Sequence, residues 1–248
     1  MIKGIDCASR LTAESAAKIK AEGYEFAGRY LVPPEKYSKA LTADEAKLIT
    51  AAGMKLLTVF ETTADRVKGG AEAGAADGRT ARACAEALSM PKRGAIYFAV
   101  DYDAQPKDFD TIRAYLAAAR KELGGCRIGV YGSYSVIEAM ADTADCLWQC
   151  VAWSYGNKSP KLHIYQARFN KYAGGVNVDI NECADADAAG LWDYTPAAHW
   201  AEKDIEWAVK NGLLKGYDET GLDLRPDRPV TRAELAAVLH RYDEMRRQ

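Results

Sequence analysis

Eight short apolar segments recur between residues 3 and 182, and only the first five are followed by helical patterns. KGIDCA (3–8), FAGRYLV (26–32), KLLTVFET (55–62), AIYFAVDYD (95–103) and CRIGVYG (126–132) read as strands. The helical stretches after them cover 11–23, 41–53, 71–88, 108–124 and 135–141. CLWQCVAW (146–153), KLHIYQA (161–167) and GVNVDINE (175–182) then follow with loops alone between them. Apolar strands alternating with helices imply a parallel sheet covered on its outside, and eight such strands imply a barrel. About 190 residues is short for a full (β/α)8 barrel of ~250 residues, and three missing helices account for the difference. The expected fold is α/β: an irregular TIM-like barrel of five β/α units and three further strands, spanning residues 1–190. Thr12 and Thr42 stand where N-caps of the first two helices belong, with Glu45 in the capping-box position.

From about residue 190 the pattern changes. Two helical stretches, near 200–211 and 231–246, flank a Gly/Pro/Asp-rich turn. They predict a small all-α module over residues 196–248, with Trp200 and Trp207 filling its core and Thr231 capping its second helix.

Composition narrows the function classes. With a net charge of -2 and no basic clusters interleaved with aromatics, nothing points to a nucleic-acid partner. No run of ~18 apolar residues is present, so no membrane span is expected. The start, MIKGIDCASR, lacks the apolar core of a signal peptide, so synthesis in the cytoplasm without a signal peptide is expected. The six cysteines form no CxxC pair and lack histidines at zinc spacing, and they read as small buried hydrophobes.

Acidic residues recur at strand ends: Asp6, Glu61, Asp101 and Asp103, with Asp179 on the eighth strand. In a parallel barrel the C-terminal strand ends share the face that carries the active site. Period-2 alternation directs Asp101 and Asp103 together toward the mouth and Tyr102 outward. Carboxylates converging in a partly apolar cleft repel, which pushes at least one toward its protonated form. One protonated and one ionised acid is what glycoside hydrolysis requires. Tyr30, Tyr131, Trp148, Trp153 and Tyr165 offer ring faces for sugar packing. Singly, each residue has an ordinary use: Asp103 could cap the next loop, Glu61 could pair with Arg29, and Trp148 could be core. A divalent Mg²⁺ or Ca²⁺ site is the other reading of clustered acids.

GIDCAS, VDYD, GVYGSY, Trp148 or Trp153, YQA and VDIN, in that order, resemble glycoside hydrolase family 25, the lysozymes that cut peptidoglycan between N-acetylmuramic acid and N-acetylglucosamine. FAGRYL and TVFET are similar to a related glycoside-hydrolase-like group, domain of unknown function 1906. The resemblance covers roughly residues 1–190 and implies catalytic roles for Asp6, Asp101, Asp103 and Asp179. Asp103 would stand for the family's general acid, where family 25 has Glu. Glu61, Tyr30, Tyr131, Trp148, Trp153 and Gln166 would bind substrate, without cofactor or metal. The tail, HWAEKDIEWAVKNGLLKGYDETGLDLRPDRPVTRAELAAVLHR, resembles one surface-layer homology repeat, which implies a wall-binding module with Trp200, Trp207, Arg232 and Glu234 as its contact positions. The expectation is a peptidoglycan hydrolase of the N-acetylmuramidase type, endolysin-like. It would be held on the wall through peptidoglycan or a secondary wall polymer, with homo-oligomerisation through the module as an option. It would reach the wall by holin-type or other non-standard release. The alternatives are an inactive wall-glycan-binding protein and a hydrolase of another polysaccharide.

Overall fold

The structure is a computed structural model and describes residues 1–196, 201–215 and 228–247. The chain divides into two compact units, Met1–Pro196 and Ala197–Gln248.

In the first unit, β1 (Ile2–Asp6), β2 (Phe26–Tyr30), β3 (Lys55–Phe60), β4 (Ala95–Ala99), β5 (Arg127–Gly132), β6 (Cys146–Cys150), β7 (Ile164–Ala173) and β8 (Val176–Cys183) close into a barrel in chain order. Helices α1 (Ala13–Ala21), α2 (Ala43–Ala51), α3 (Gly70–Ala87), α4 (Phe109–Glu122) and α5 (Tyr134–Met140) follow the first five strands. Thr12 and Thr42 cap α1 and α2 by accepting from Ser15 N and Glu45 N. Strand alternation sorts the apolar residues into two cores. Phe26, Leu57, Tyr97, Trp148 and Ile164 fill the barrel interior, while Ile5, Leu56, Phe98, Ile112 and Ile128 pack between sheet and helices. Glycine lets α3 and α4 close: a Cβ on Gly78 would meet the Ala119 carbonyl oxygen at 2.7 Å. The segment after β8 plugs the barrel floor, where Ala189 and Leu191 join the interior core and Tyr97 OH donates to the Ala189 carbonyl at 2.8 Å.

Three local expectations are corrected. The strands pair in parallel from β1 to β7, but β8 runs antiparallel to both β7 and β1. The cause is the two-residue Gly174–Gly175 connection, with φ of 55° and 81°, which makes β7 and β8 a hairpin. Second, β4 stops at Ala99, so the strand does not carry the acids after it. Asp101 N donates to the Ala64 carbonyl and Ala104 N to the Tyr102 carbonyl, a turn in which period-2 alternation no longer applies. Third, Glu45 does not close a capping box. Its Oε1 accepts from Arg29 Nε at 2.7 Å and from Leu11 N at 2.8 Å.

The second unit contains α6 (Glu202–Lys210) and α7 (Arg232–Arg246). Thr231 caps α7 in a reciprocal box with Glu234, and Glu234 also accepts from Arg228 at 2.6 Å. Arg241 of α7 donates to the Leu213 carbonyl just past α6. Trp207 is 50% exposed rather than packed as core, because its position falls on the solvent side of α6. Trp200 lies outside the described residues.

Candidate active site at the barrel mouth

Four carboxyl groups meet in one pocket of about 130 Å³ at the mouth: Asp6, Glu61, Asp101 and Asp179, lined further by Tyr30, Tyr131, Trp148 and Gln166. Asp6 ends β1, and Glu61 and Asp101 sit just past β3 and β4. Asp179 reaches the same place by another route. β8 runs backwards, yet its register sets Asp179 directly across from Asp6, and Asn181 across from Gly4 and Gln166. Opposite Asp6 on β2 stands Gly28, where a Cβ would lie 2.7 Å from the Asp6 Cβ.

A buried polar network fixes Asp6. Trp148 Nε1 donates to Asn181 Oδ1 at 2.9 Å, and Asn181 Nδ2 donates to Asp6 Oδ2 at 2.7 Å. Tyr131 OH donates to Gln166 Oε1 at 2.9 Å. Gln166 Nε2 donates to Asp6 Oδ2 at 2.9 Å and to Asp179 Oδ2 at 3.2 Å. Both amides therefore serve the same oxygen of Asp6, and its Oδ1 has no hydrogen-bond partner among the described residues. Burial pushes the Asp6 carboxyl up to about 7; the hydrogen bond from Asn181 opposes this, the charge of Asp179 adds to it, and Gln166 and Arg29 act against it. With Oδ2 already accepting twice, the proton belongs on Oδ1, open to the pocket.

The remaining acids differ in their surroundings. Burial, then the neighbouring Glu61, raise Asp101; Lys39 pulls it down and Asp179 raises it again. Burial raises Asp179 while the Asn170 backbone N–H, at 2.9 Å from Oδ1, lowers it. Glu61 pairs with Lys39 at 3.6 Å, not with Arg29, because Arg29 is fully buried against Glu45. The Lys39 ammonium also sits 3.9 Å over the Tyr30 ring. Burial, followed by the charges of Glu61, Asp6 and Asp101, holds the Tyr30 hydroxyl well above the usual tyrosine range.

Sequence reasoning placed Asp6, Glu61, Asp101, Asp179, Tyr30, Tyr131, Trp148 and Gln166 together, and all eight line the pocket. Trp148 does so as a buried floor, edge-on to Tyr131 with ring centroids 4.8 Å apart. Asp103 and Trp153 do not line it. The turn after β4 carries Asp103 to the Tyr155 hydroxyl, which donates to its Oδ2 at 3.0 Å. Trp153 sits in the turn after β6 with a φ of 51°, outside strand alternation. Tyr165 faces outward under the Lys158 ammonium. Two contributors were missed: Asn181, legible as the i+2 neighbour of Asp179, and Lys39, for which the sequence holds no local signal. Among the described residues no group of three or more His, Cys, Asp or Glu is arranged to hold a metal ion.

A family model described as Rv2525c-like, glycoside hydrolase-like domain matches residues 17–189, and an S-layer homology domain model matches residues 194–236. FadG of Bacillus subtilis (strain 168) is 31% identical over 118 residues, 44% of this chain and 20% of FadG. The matched stretch is thus a small part of the length of the curated relatives, 20% of FadG and 14% of B. subtilis YbfG. The crystal structure of the Mycobacterium tuberculosis Tat-secreted protein Rv2525c with L-tartrate superposes with a TM-score of 0.68 at 25% identity, covering 77% of this chain and 98% of that one. The modular autolysin LytC of Streptococcus pneumoniae, solved with a synthetic peptidoglycan ligand, shares the fold with a TM-score of 0.52 at 13% identity, over 73% of this chain and 46% of LytC.

Proposed function

This chain belongs to the Rv2525c-like, glycoside hydrolase-like family and carries an S-layer homology domain, and we propose that it hydrolyses bacterial cell-wall glycan, with peptidoglycan as substrate. One observation carries this reading: a carboxyl raised to about 7, its free oxygen facing the pocket, beside further carboxyls in the same 130 Å³ space. That pairing supplies an acid and a base or cation stabiliser near neutral pH. Asp6 Oδ1 protonates the glycosidic oxygen as the C1–O bond breaks. Asp101, which has no hydrogen-bond partner on its carboxyl among the described residues, faces the developing positive sugar. Water adds at C1, and its proton restores Asp6. Asp179, Gln166 and Asn181 hold Asp6 in place. The S-layer homology domain keeps the barrel on the wall by binding a wall polymer, with Arg232 and Glu234 among the residues that would contact it.

The test is turnover of soluble glycan strands by Asp6→Asn, Asp101→Asn and Asp103→Asn variants. The first two lose activity by about 10³-fold or more, on the scale of losing an acid or an electrostatic stabiliser, and Asp103→Asn retains most of it. A second reading, a wall-glycan-binding protein without turnover, is favoured by the engagement of Asp103 with Tyr155 away from the pocket. It predicts strand binding by the wild type with no product.

A further inference from the structure

Beside the acidic pocket lies a larger open concavity of about 700 Å³, lined by Ala8, Ser9, Arg10, Lys36, Tyr37, Ser38 and Lys39. Its walls are two loops, one after β1 and one after β2. Three cations line it and no acid does. The side chains of Arg10 and Lys36 form no ion pair or hydrogen bond with any described residue. Glu35, the chain neighbour of Lys36, does not line the concavity. Lys39 joins the two spaces, lining this rim while pairing with Glu61 of the pocket.

The rim is also held in shape from beneath. Arg29, fully buried, donates to the Cys7 carbonyl at the root of the first loop and to the Lys39 carbonyl in the second. Glu45, fixed by Arg29, accepts from Leu11 N at the far end of the first loop. A buried ion pair is costly to desolvate, and this one ties down the backbone of both rim loops.

We infer that this rim is a binding site for a carboxylate substituent on the glycan unit adjoining the one held in the acidic pocket. A pocket of four carboxyls disfavours an acidic polymer; Lys39 offsets Glu61, and the unpaired Arg10 and Lys36 supply the positive charge at its edge that sets the direction in which the strand lies. The inference rests on the proposed glycan-hydrolase reading for what occupies the pocket, but its test does not need turnover. Full-length wild type and an Arg10→Ala/Lys36→Ala variant are titrated by calorimetry with de-peptidised peptidoglycan strands carrying free lactyl carboxylates. The same strands with those carboxylates amidated, and a neutral N-acetylglucosamine hexamer, serve as controls. Wild type binds the acidic strands about tenfold more tightly than the amidated ones, the size expected for losing charge-assisted contacts, and the preference shrinks with added salt. The double variant loses the preference while binding the neutral hexamer as before and unfolding at the same temperature. Equal wild-type affinity for acidic and amidated strands, or a preference the double variant retains, overturns the inference. Preferential binding with no product from any strand would instead overturn the hydrolase reading and leave the rim intact.

Discussion

At the scale of single residues, the site turns on which carboxyl holds a proton. Asp6 is the candidate because two amides occupy its Oδ2 and leave Oδ1 open. Its folded pKa of about 7 against an ordinary 3.8 has a consequence for stability. The fold prefers the neutral acid, so this group's contribution is fully present below pH about 4 and is lost as pH rises through about 7. An Asp6→Asn variant removes that dependence. Thermal melts at pH 4 and pH 8 should show the variant gaining on wild type at the higher pH; parallel curves would contradict the assignment. Gly28→Ala is the complementary probe, since its Cβ would press on Asp6 at 2.7 Å. It should cost about 1–3 kcal/mol by overpacking and reduce turnover at least as far as it moves Asp6. Asp6, Asp101 and Asp179 were legible because acids stand out against apolar strand sequence. Gly28 and Lys39 were not, because their importance comes from neighbours distant in the chain.

At the scale of elements, the mouth depends on the strands that frame it. The Arg29–Glu45 pair links β2, α2 and both rim loops. Arg29→Met leaves Glu45 buried without its partner and should destabilise by about 3–5 kcal/mol in denaturant titration. A loss below about 1 kcal/mol would mean that the loops are held by something else. The count and order of strands could be read from the sequence, since apolar segments alternate with capped helices. The direction of β8 was missed, although its signal was present: two extended runs separated by Gly174–Gly175 form a hairpin, not a crossover. The end of β4 was also missed. VDYD reads as strand by composition, and only the hydrogen bond from Asp101 N to Ala64 shows that the ladder has ended. That one shift separates Asp103 from the pocket that Asp101 enters.

At the scale of the whole molecule, a barrel with an acidic mouth and an S-layer homology domain occur in one chain. If the second unit serves attachment, a chain ending at Pro196 should still turn over soluble strands but no longer co-sediment with wall sacculi. Retained sedimentation would assign wall binding to the barrel instead. On the proposed function, the carboxyls at the mouth cleave glycan. The most direct test is digestion of purified peptidoglycan by wild type and by Asp101→Asn, with new reducing ends identified by mass spectrometry. Wild type should release reducing-end muramic acid, with yield falling as pH rises above about 7 as Asp6 loses its proton, and the variant should release none. Equal product from both proteins, or none from wild type that nevertheless binds the strands, would contradict that function.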